Sequence, residues 1–124
     1  MTQSAHLDFV NLVGIDFVDG GKSLRLEVVD SIPPHDVRFL TFKNAFSIRL
    51  CQSRDDGFPF VLCELTWRLV EPEEMGSILA ELAYPFFDSN GVPLLHDEPL
   101  VVARLEGAMV GSILAEEVVI QTSI

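Results

Sequence analysis

The feature that most restricts the fold of this chain is an alternation of apolar and polar residues, which recurs along much of the sequence. In the first such stretch, the apolar residues Val13, Ile15 and Phe17 alternate with Gly14 and Asp16. Successive side chains of a β-strand point to opposite faces of the sheet, so this period of two is typical of a strand with one buried face. The chain is therefore predicted to be mainly β.

The first two alternating stretches are predicted to form a β-hairpin. The second stretch places Leu24, Leu26 and Val28 on one parity, and segment 19–21, Asp-Gly-Gly, separates it from the first. Glycine readily adopts the positive φ that tight hairpin turns require. The second strand should end at segment 32–36, because its two prolines have no amide hydrogen to donate to a neighbouring strand.

Two further stretches follow the same rule. Residues of one apolar parity in segment 37–51 are Leu40, Phe42, Phe46, Ile48 and Leu50. Asn44 falls on that parity and predicts a bend or bulge that separates two short strands. After a polar loop at 53–59, the residues that should form the dry face of a central strand are Val61, Cys63, Leu65, Trp67 and Leu69.

One amphipathic helix is predicted over about 72–84. Pro72 suits the first helical turn, and the acidic residues beside it interact favourably with the positive, N-terminal end of the helix dipole. Apolar residues then recur at helical spacing, at Met75, Ile78, Leu79 and Leu82. Pro85 should end the pattern.

The chain after the helix is predicted to cross the surface and return as a second hairpin. Segment 88–91, Asp-Ser-Asn-Gly, is typical of a turn, and segment 92–99 contains two prolines. The closing strands carry one apolar parity each, at Val101, Ala103 and Leu105 and at Leu114, Val118 and Ile120. Glu116 lies on the apolar parity of the last strand and leaves its register open.

These elements predict one domain, residues 1–124, of the α+β class and mainly β. It should contain about six to seven antiparallel strands, arranged as a sheet or a small sandwich, with one helix. A length of 124 residues suits a single compact domain.

Charge and composition exclude several classes of partner. The net charge is −11, which repels nucleic-acid phosphates and anionic membrane surfaces. No stretch approaches the roughly 18 consecutive apolar residues of a membrane span, and the first residues lack the basic start and apolar run of a secretory signal. We therefore expect a cytoplasmic protein that binds neither nucleic acid nor membrane.

No motif in the sequence indicates an enzyme, a metal site or a cofactor. His6, His35 and His96 are far apart and lack the spacing of zinc ligands. Cys51 and Cys63 have apolar neighbours, and we interpret them as buried core residues in preference to a disulfide. Adjacent carboxylates point in different directions on strands and helices, so the acidic pairs of this chain do not predict a catalytic pair.

One region is a candidate for binding a protein partner. No lysine or arginine lies between Arg68 and Arg104, whereas acidic residues are frequent there. The carboxylates that we predict to bind a basic protein are Glu71, Glu73, Glu74, Glu81 and Asp88. They precede or adjoin Phe86 and Phe87, which are either exposed beside this patch or buried as anchors of the helix end. The alternative is a surface that serves solubility only.

Two segments resemble small bacterial β-sandwich immunity proteins, which protect a cell from its own polymorphic toxins. They are segment 37–46, Val-Arg-Phe-Leu-Thr-Phe-Lys-Asn-Ala-Phe, and segment 105–120, which contains Leu-Glu-Gly and later Gly-Ser-Ile-Leu-Ala-Glu-Glu. The resemblance implies a non-catalytic protein that acts by binding a toxin. It assigns no functional residues.

The sequence supports three hypotheses about function. The first is a non-enzymatic protein-binding module, immunity-like, that binds a basic partner through its acidic helix region. The second is a structural or assembly subunit that forms homo-oligomers through strand edges or the two adjacent phenylalanines. The third is a carrier of a small ligand in a pocket between sheet and helix, with a predicted lining of Phe42, Trp67, Met75 and Leu79.

Overall fold

Six antiparallel strands and one short helix make up the described part of the chain, residues 4–52, 57–92 and 99–122 of a computed structural model. The strands are β1 (Ser4–Val18), β2 (Ser23–Asp30), β3 (Val37–Gln52), β4 (Phe60–Val70), β5 (Leu100–Gly107) and β6 (Met109–Thr122). The helix, α1 (Met75–Glu81), follows β4 after a 3-10 turn at Pro72–Glu74. Parts of the predicted loop 53–59 and connection 92–99 lie outside the described residues.

The sheet closes on itself as a barrel with the strand order β1-β2-β3-β6-β5-β4. Two three-stranded meanders build it, and they pair through β3 with β6 and through β1 with β4. The predicted class is confirmed, since the fold is mainly β, antiparallel and carries one helix. The sequence predicts a sheet or a small sandwich, and the structure shows that the sheet is closed into a barrel.

Both predicted hairpins and the helix are confirmed. β1 pairs with β2 across the turn at Asp19–Gly21, and β5 pairs with β6 across Gly107 and Ala108. The strand before segment 32–36 ends at Asp30. Helical structure begins at Pro72 as predicted and ends at Glu81, a few residues earlier than the sequence pattern predicts.

The main core fills the inside of the barrel with aliphatic and aromatic side chains. Fully buried members from several strands include Leu12, Leu26, Phe42, Leu62 and Ile113. Burial of apolar side chains such as these contributes about 1.5–3 kcal/mol each, which makes the interior the main source of stability. The interior is therefore a packed core of side chains.

Bulges move several residues off the faces that strict alternation predicts. A register shift between Leu62 and Glu64 turns Val61 and Cys63 outward, so the prediction that these two residues face the core is wrong. The same strand then resumes alternation, with Leu65 and Trp67 buried as predicted. A bulge adds one residue to one strand, and each added residue reverses the faces of those that follow.

The first strand has a similar irregularity. Its register shifts between Leu12 and Gly14, and its fully buried residues are Val10 and Leu12. Ile15 packs against the core, but Phe17 is 63 % exposed, so its predicted inward position is wrong.

β3 is one continuous strand of 16 residues, so the prediction of two short strands is wrong. The predicted irregularity is present, since Asn44 has a φ of 53° and the register shifts between Ala45 and Ser47. Asn44 Nδ2 donates a hydrogen bond to Glu116 Oε1 on β6, which ties the bend to its neighbour. Beyond the bend, Phe46 packs on the outside of the barrel rather than in the main core.

The last strand also departs from a single apolar face. Val118 joins the main core, whereas Leu114 packs outside the barrel and Ile120 is 45 % exposed. The predicted common face of these three residues is therefore wrong. Ile113 and Ala115 face the barrel interior instead.

Candidate functional site

The helix covers one outer wall of the barrel. A second apolar cluster, separate from the main core, joins the inner side of α1 to β4, β5 and β6, and its buried members are Val70, Ile78, Leu79, Leu82, Tyr84, Leu100, Val102 and Leu114. Phe46 of β3 and Met75 pack against it. The predicted apolar stripe of the helix therefore faces the sheet.

A capping box fixes the start of this helical segment. The Glu71 side chain accepts from the backbone amide of Glu74, and the Glu74 side chain accepts from the backbone amide of Glu71. Glu74 is also bound by the preceding strand, since Arg68 Nη1 donates to Glu74 Oε2 at 3.0 Å. Two of the predicted partner-binding carboxylates thus hold the chain's own structure together.

Two arginines hold the other end of α1. Arg104 Nη2 of β5 lies 2.8 Å from Glu81 Oε1, and Arg49 Nη2 of β3 donates to the Ala83 carbonyl oxygen at 3.3 Å. Cations at the C-terminal end of a helix also interact favourably with its dipole. Exposed ion pairs contribute about 0.2–1 kcal/mol each, so these contacts add modestly to the apolar packing that holds the helix on the wall.

The chain leaves α1 through a Schellman turn that contains alanine. The Tyr84 amide donates to the Leu79 carbonyl and the Ala83 amide to the Ala80 carbonyl, while Ala83 has a φ of 51°. This left-handed conformation is normally taken by glycine, because a Cβ atom is crowded there. Ala83 therefore places a methyl group on the surface at some cost in backbone energy.

Ala83→Gly is expected to raise the free energy of unfolding by about 0.5–1 kcal/mol, because glycine removes the crowding at positive φ and only part of that gain is lost to added freedom in the unfolded chain. Ala80→Gly, within α1, should lower the free energy of unfolding by about 1 kcal/mol. Urea unfolding of both variants checks this pair. If both substitutions lower the free energy of unfolding equally, the conclusion that Ala83 is strained at its positive φ is wrong.

The segment after the helix carries an exposed aromatic pair. Phe86 and Phe87 are 58 % and 50 % exposed, so the alternative in which they are buried anchors is wrong. The Phe86 ring meets the Tyr84 ring edge to face, with 5.6 Å between the ring centroids. Burial raises the pKa of the Tyr84 hydroxyl above its ordinary value.

A turn follows the aromatic pair as predicted. Asp88 Oδ1 accepts hydrogen bonds from the amides of Asn90 and Val92, and the Gly91 amide donates to the Asp88 carbonyl. The carboxylate of Asp88 is exposed and has a structural role in this turn. It lies directly after Phe87 in the chain.

An apolar groove lies along one edge of α1, between the helix and the segment that follows it. It is a depression of about 240 Å³ lined by Gly76, Leu79, Ala80, Ala83, Tyr84 and Phe87. Three of these, at 76, 80 and 83, are small and exposed. We call this depression the α1 groove.

The five predicted partner-binding carboxylates therefore divide by position. Glu74 and Glu81 pair with Arg68 and Arg104, and Glu71 caps the helical segment. Among the described residues, no basic side chain pairs with Glu73, which is exposed at helical spacing from Gly76 and Ala80. These two ion pairs were not predicted from the sequence. Arg68 and Arg104 lie just outside the acidic interval in the sequence, but the fold brings them back to its carboxylates.

The predicted carrier pocket is not assembled. Trp67 and Phe42 lie inside the barrel, whereas Met75 and Leu79 belong to the outer cluster on the opposite side of the sheet. One pocket cannot be lined by all four residues, because the sheet lies between the two pairs. The structure thus separates the four residues into two packed clusters.

The cysteine interpretation is also corrected. Cys51 and Cys63 are both exposed free thiols, so their predicted burial is wrong. Cys63 is outward because of the β4 bulge, and Cys51 lies at the exposed end of β3.

The histidines take separate positions. His6 lies 3.5 Å from Asp8, and His35 is in the turn after β2, where its Nδ1 is 3.0 Å from the Asp30 carbonyl oxygen. His96 lies outside the described residues. Within residues 4–52, 57–92 and 99–122, no group of three or more histidine, cysteine, aspartate or glutamate side chains is placed to hold a metal ion.

The fold and surface together define a closed six-stranded antiparallel barrel with a helix packed on its outer wall. No protein-family model and no curated protein matches this chain. The structure is similar to the crystal structure of an uncharacterized protein from Neisseria gonorrhoeae, with a TM-score of 0.61 over 96 % of this chain and 97 % of that chain. Sequence identity is 17 %, so the likeness shows the fold alone.

Helices of the described segments are also too short to cross a bilayer, since α1 has 7 residues. A transmembrane helix needs about 20 predominantly apolar residues.

Proposed function

We propose that this chain is a non-enzymatic protein-binding module that binds a basic protein partner through the outward side of α1 and the segment after it. One observation carries the proposal. Arg68 and Arg104 are paired with Glu74 and Glu81, while Glu73 and the aromatic pair Phe86 and Phe87 are exposed without a described cation beside them. Aromatic residues are enriched in protein interfaces, and an exposed apolar patch with polar residues at its rim is typical of an interaction site.

Binding rather than catalysis is supported by the side chains on this surface. Its glycine, alanine and phenylalanine residues offer apolar contact area and close approach. The net charge of −11 favours a positively charged partner, because complementary fields raise the rate of association. The same charge disfavours nucleic acid and anionic lipid as partners.

The resemblance of segments 37–46 and 105–120 to immunity proteins favours a toxin as this partner. A cytoplasmic location is supported by the two exposed free thiols of Cys51 and Cys63, which persist as thiols in a reducing compartment.

Site-specific photo-crosslinking in the source cells tests the proposal. A photoreactive phenylalanine analogue replaces Phe86 or Phe87, and in the matched control it replaces Phe17, which is 63 % exposed on β1. We expect one protein to be crosslinked from positions 86 and 87 and not from position 17. The same crosslinked proteins from all three positions, or none from 86 and 87, would contradict the proposed function.

Once the partner is purified, the affinity of the complex should fall as salt concentration rises, because screening weakens the attraction between opposite charges. Phe87→Ala should weaken binding by about tenfold or more, as expected for an exposed aromatic residue that becomes buried in an interface. Phe17→Ala should leave affinity unchanged. Titration calorimetry at low and high salt measures both effects.

A further inference from the structure

We infer that the α1 groove receives an amphipathic helix of another protein, whose apolar side chain enters the groove and whose lysine or arginine side chains lie near Glu73 and Asp88. The inference rests on the proposed function and names the chemistry of its partner. Its evidence is the size, the shape and the charge of the groove.

The size of the groove fits a side chain of a protein rather than a small molecule. Its volume of about 240 Å³ is below the roughly 300–1,000 Å³ of typical ligand pockets. It is also almost free of polar groups, since its lining is glycine, alanine and leucine with the rings of Tyr84 and Phe87. An apolar side chain is the occupant that such a lining favours.

The shape of the groove fits a helix. Gly76 and Ala80 stand one turn apart on the outward side of α1, and Ala83 continues that line beyond the helix end. A second helix packs against a first at 8–10 Å between axes, and small side chains at the contact permit the closest approach. Phe87 forms one wall of the groove and would pack against the side of the incoming helix.

The charge of the groove's surroundings selects a basic helix. Glu73 lies at helical spacing from Gly76 and Ala80, and Asp88 follows Phe87. Arg68 and Arg104 of the barrel strands are paired with Glu74 and Glu81, and Arg49 donates to the carbonyl oxygen of Ala83 at one end of the groove. A second copy of this chain would bring its own charge of −11 to the same surface, so charge favours a different protein.

Selection from a random peptide library displayed on phage tests the inference with a defined probe. The purified full chain is the bait. We expect the enriched peptides to carry apolar residues at spacings of three and four, flanked by lysine or arginine, and to become helical on binding. Enriched peptides that are acidic, extended or without a common pattern would overturn the inference.

Two substitutions and one control locate the peptide site. Ala80→Leu fills the groove without changing charge and should weaken peptide binding by about tenfold, and Glu73→Lys should weaken it several-fold. Glu117→Lys makes the same charge change on β6 and should leave binding unchanged. Circular dichroism and the unfolding midpoint of each variant verify that it is folded.

The possible failures can be told apart. Peptide binding that tolerates Ala80→Leu, or responds equally to Glu73→Lys and Glu117→Lys, overturns the inference. A specific crosslink from positions 86 and 87 to a protein that contacts the chain through a strand or loop also overturns it and leaves the proposed function standing. Concentration-dependent dimerisation that is abolished by Ala80→Leu would identify a second copy as the occupant and overturn the inference.

Discussion

Phe42→Ala is expected to lower the free energy of unfolding by about 3–5 kcal/mol, the largest effect of any substitution considered for this chain. Phe42 is completely buried inside the barrel and is the largest of the fully buried side chains. It is paired in register with Leu24 of β2 and Val118 of β6, both of which are core residues. Removal of the ring loses its burial and leaves a cavity that the hydrogen-bonded wall cannot close.

The matched control is Phe17→Ala, in which the same atoms are removed from a ring that is 63 % exposed. Its effect should be within about 0.5 kcal/mol, as for most exposed positions. Chemical denaturation followed by far-ultraviolet circular dichroism gives both values. Similar losses for the two variants would contradict the assignment of Phe42 to the interior and Phe17 to the surface.

Gly107→Ala is expected to lower the free energy of unfolding by about 3 kcal/mol, through a clash and an unfavourable backbone conformation together. Gly107 has a φ of 146°, which side chains rarely permit. A Cβ atom there would lie 2.8 Å from Leu62 Cα and 2.9 Å from Cys63 N, and closer still to the Val61 carbonyl oxygen. All three contacts are with backbone atoms of β4, so β5 would have to separate from its neighbour.

Gly76→Ala is the control for glycine substitution, because nothing lies within 4 Å of a Cβ atom at Gly76. Alanine should raise the free energy of unfolding by up to about 1 kcal/mol, since it favours the helical conformation. The midpoint of thermal unfolding should therefore rise for Gly76→Ala and fall for Gly107→Ala. A lower midpoint for Gly76→Ala or an unchanged one for Gly107→Ala would contradict the packing described for these glycines.

The predictable part of the fold is the part that depends on local chemistry. The Asp-Gly-Gly turn, the proline-containing segment 32–36 and the apolar spacing from Met75 to Leu82 each act within a few residues, and each is confirmed. The strand faces fail where bulges intervene, as at Cys63 and Phe46. A bulge is set by the fit of one strand against its neighbour, which the sequence of a single strand does not contain.

Closure of the sheet could not be predicted for a similar reason. The pairing of β1 with β4 and of β3 with β6 joins residues far apart in the chain. Alternation defines a buried face, but it does not state which strand lies on either side. Sheet, sandwich and barrel are equally compatible with the same set of alternating strands.

The candidate site shows the same division. The acidic composition of the helix region is visible in the sequence, and so are the adjacent phenylalanines. Arg68 and Arg104 reach the helix only because β4 and β5 are paired neighbours, with Arg68 opposite Val102 and Arg104 opposite Thr66. The sequence does hold one indication of these pairs. Both arginines lie in the strands that precede and follow the helix, at positions whose side chains should point out of the barrel.

Placement of α1 in the connection between two paired strands separates what the molecule presents from what holds it together. β4 and β5 are already hydrogen-bonded neighbours, so a connection of almost any length or sequence could join them without rearranging the barrel. The connection must only cover the apolar residues on the outer wall, which are Val70, Leu100, Val102 and Leu114. The sequence between β4 and β5 is therefore free to change without altering the strand pairing of the barrel.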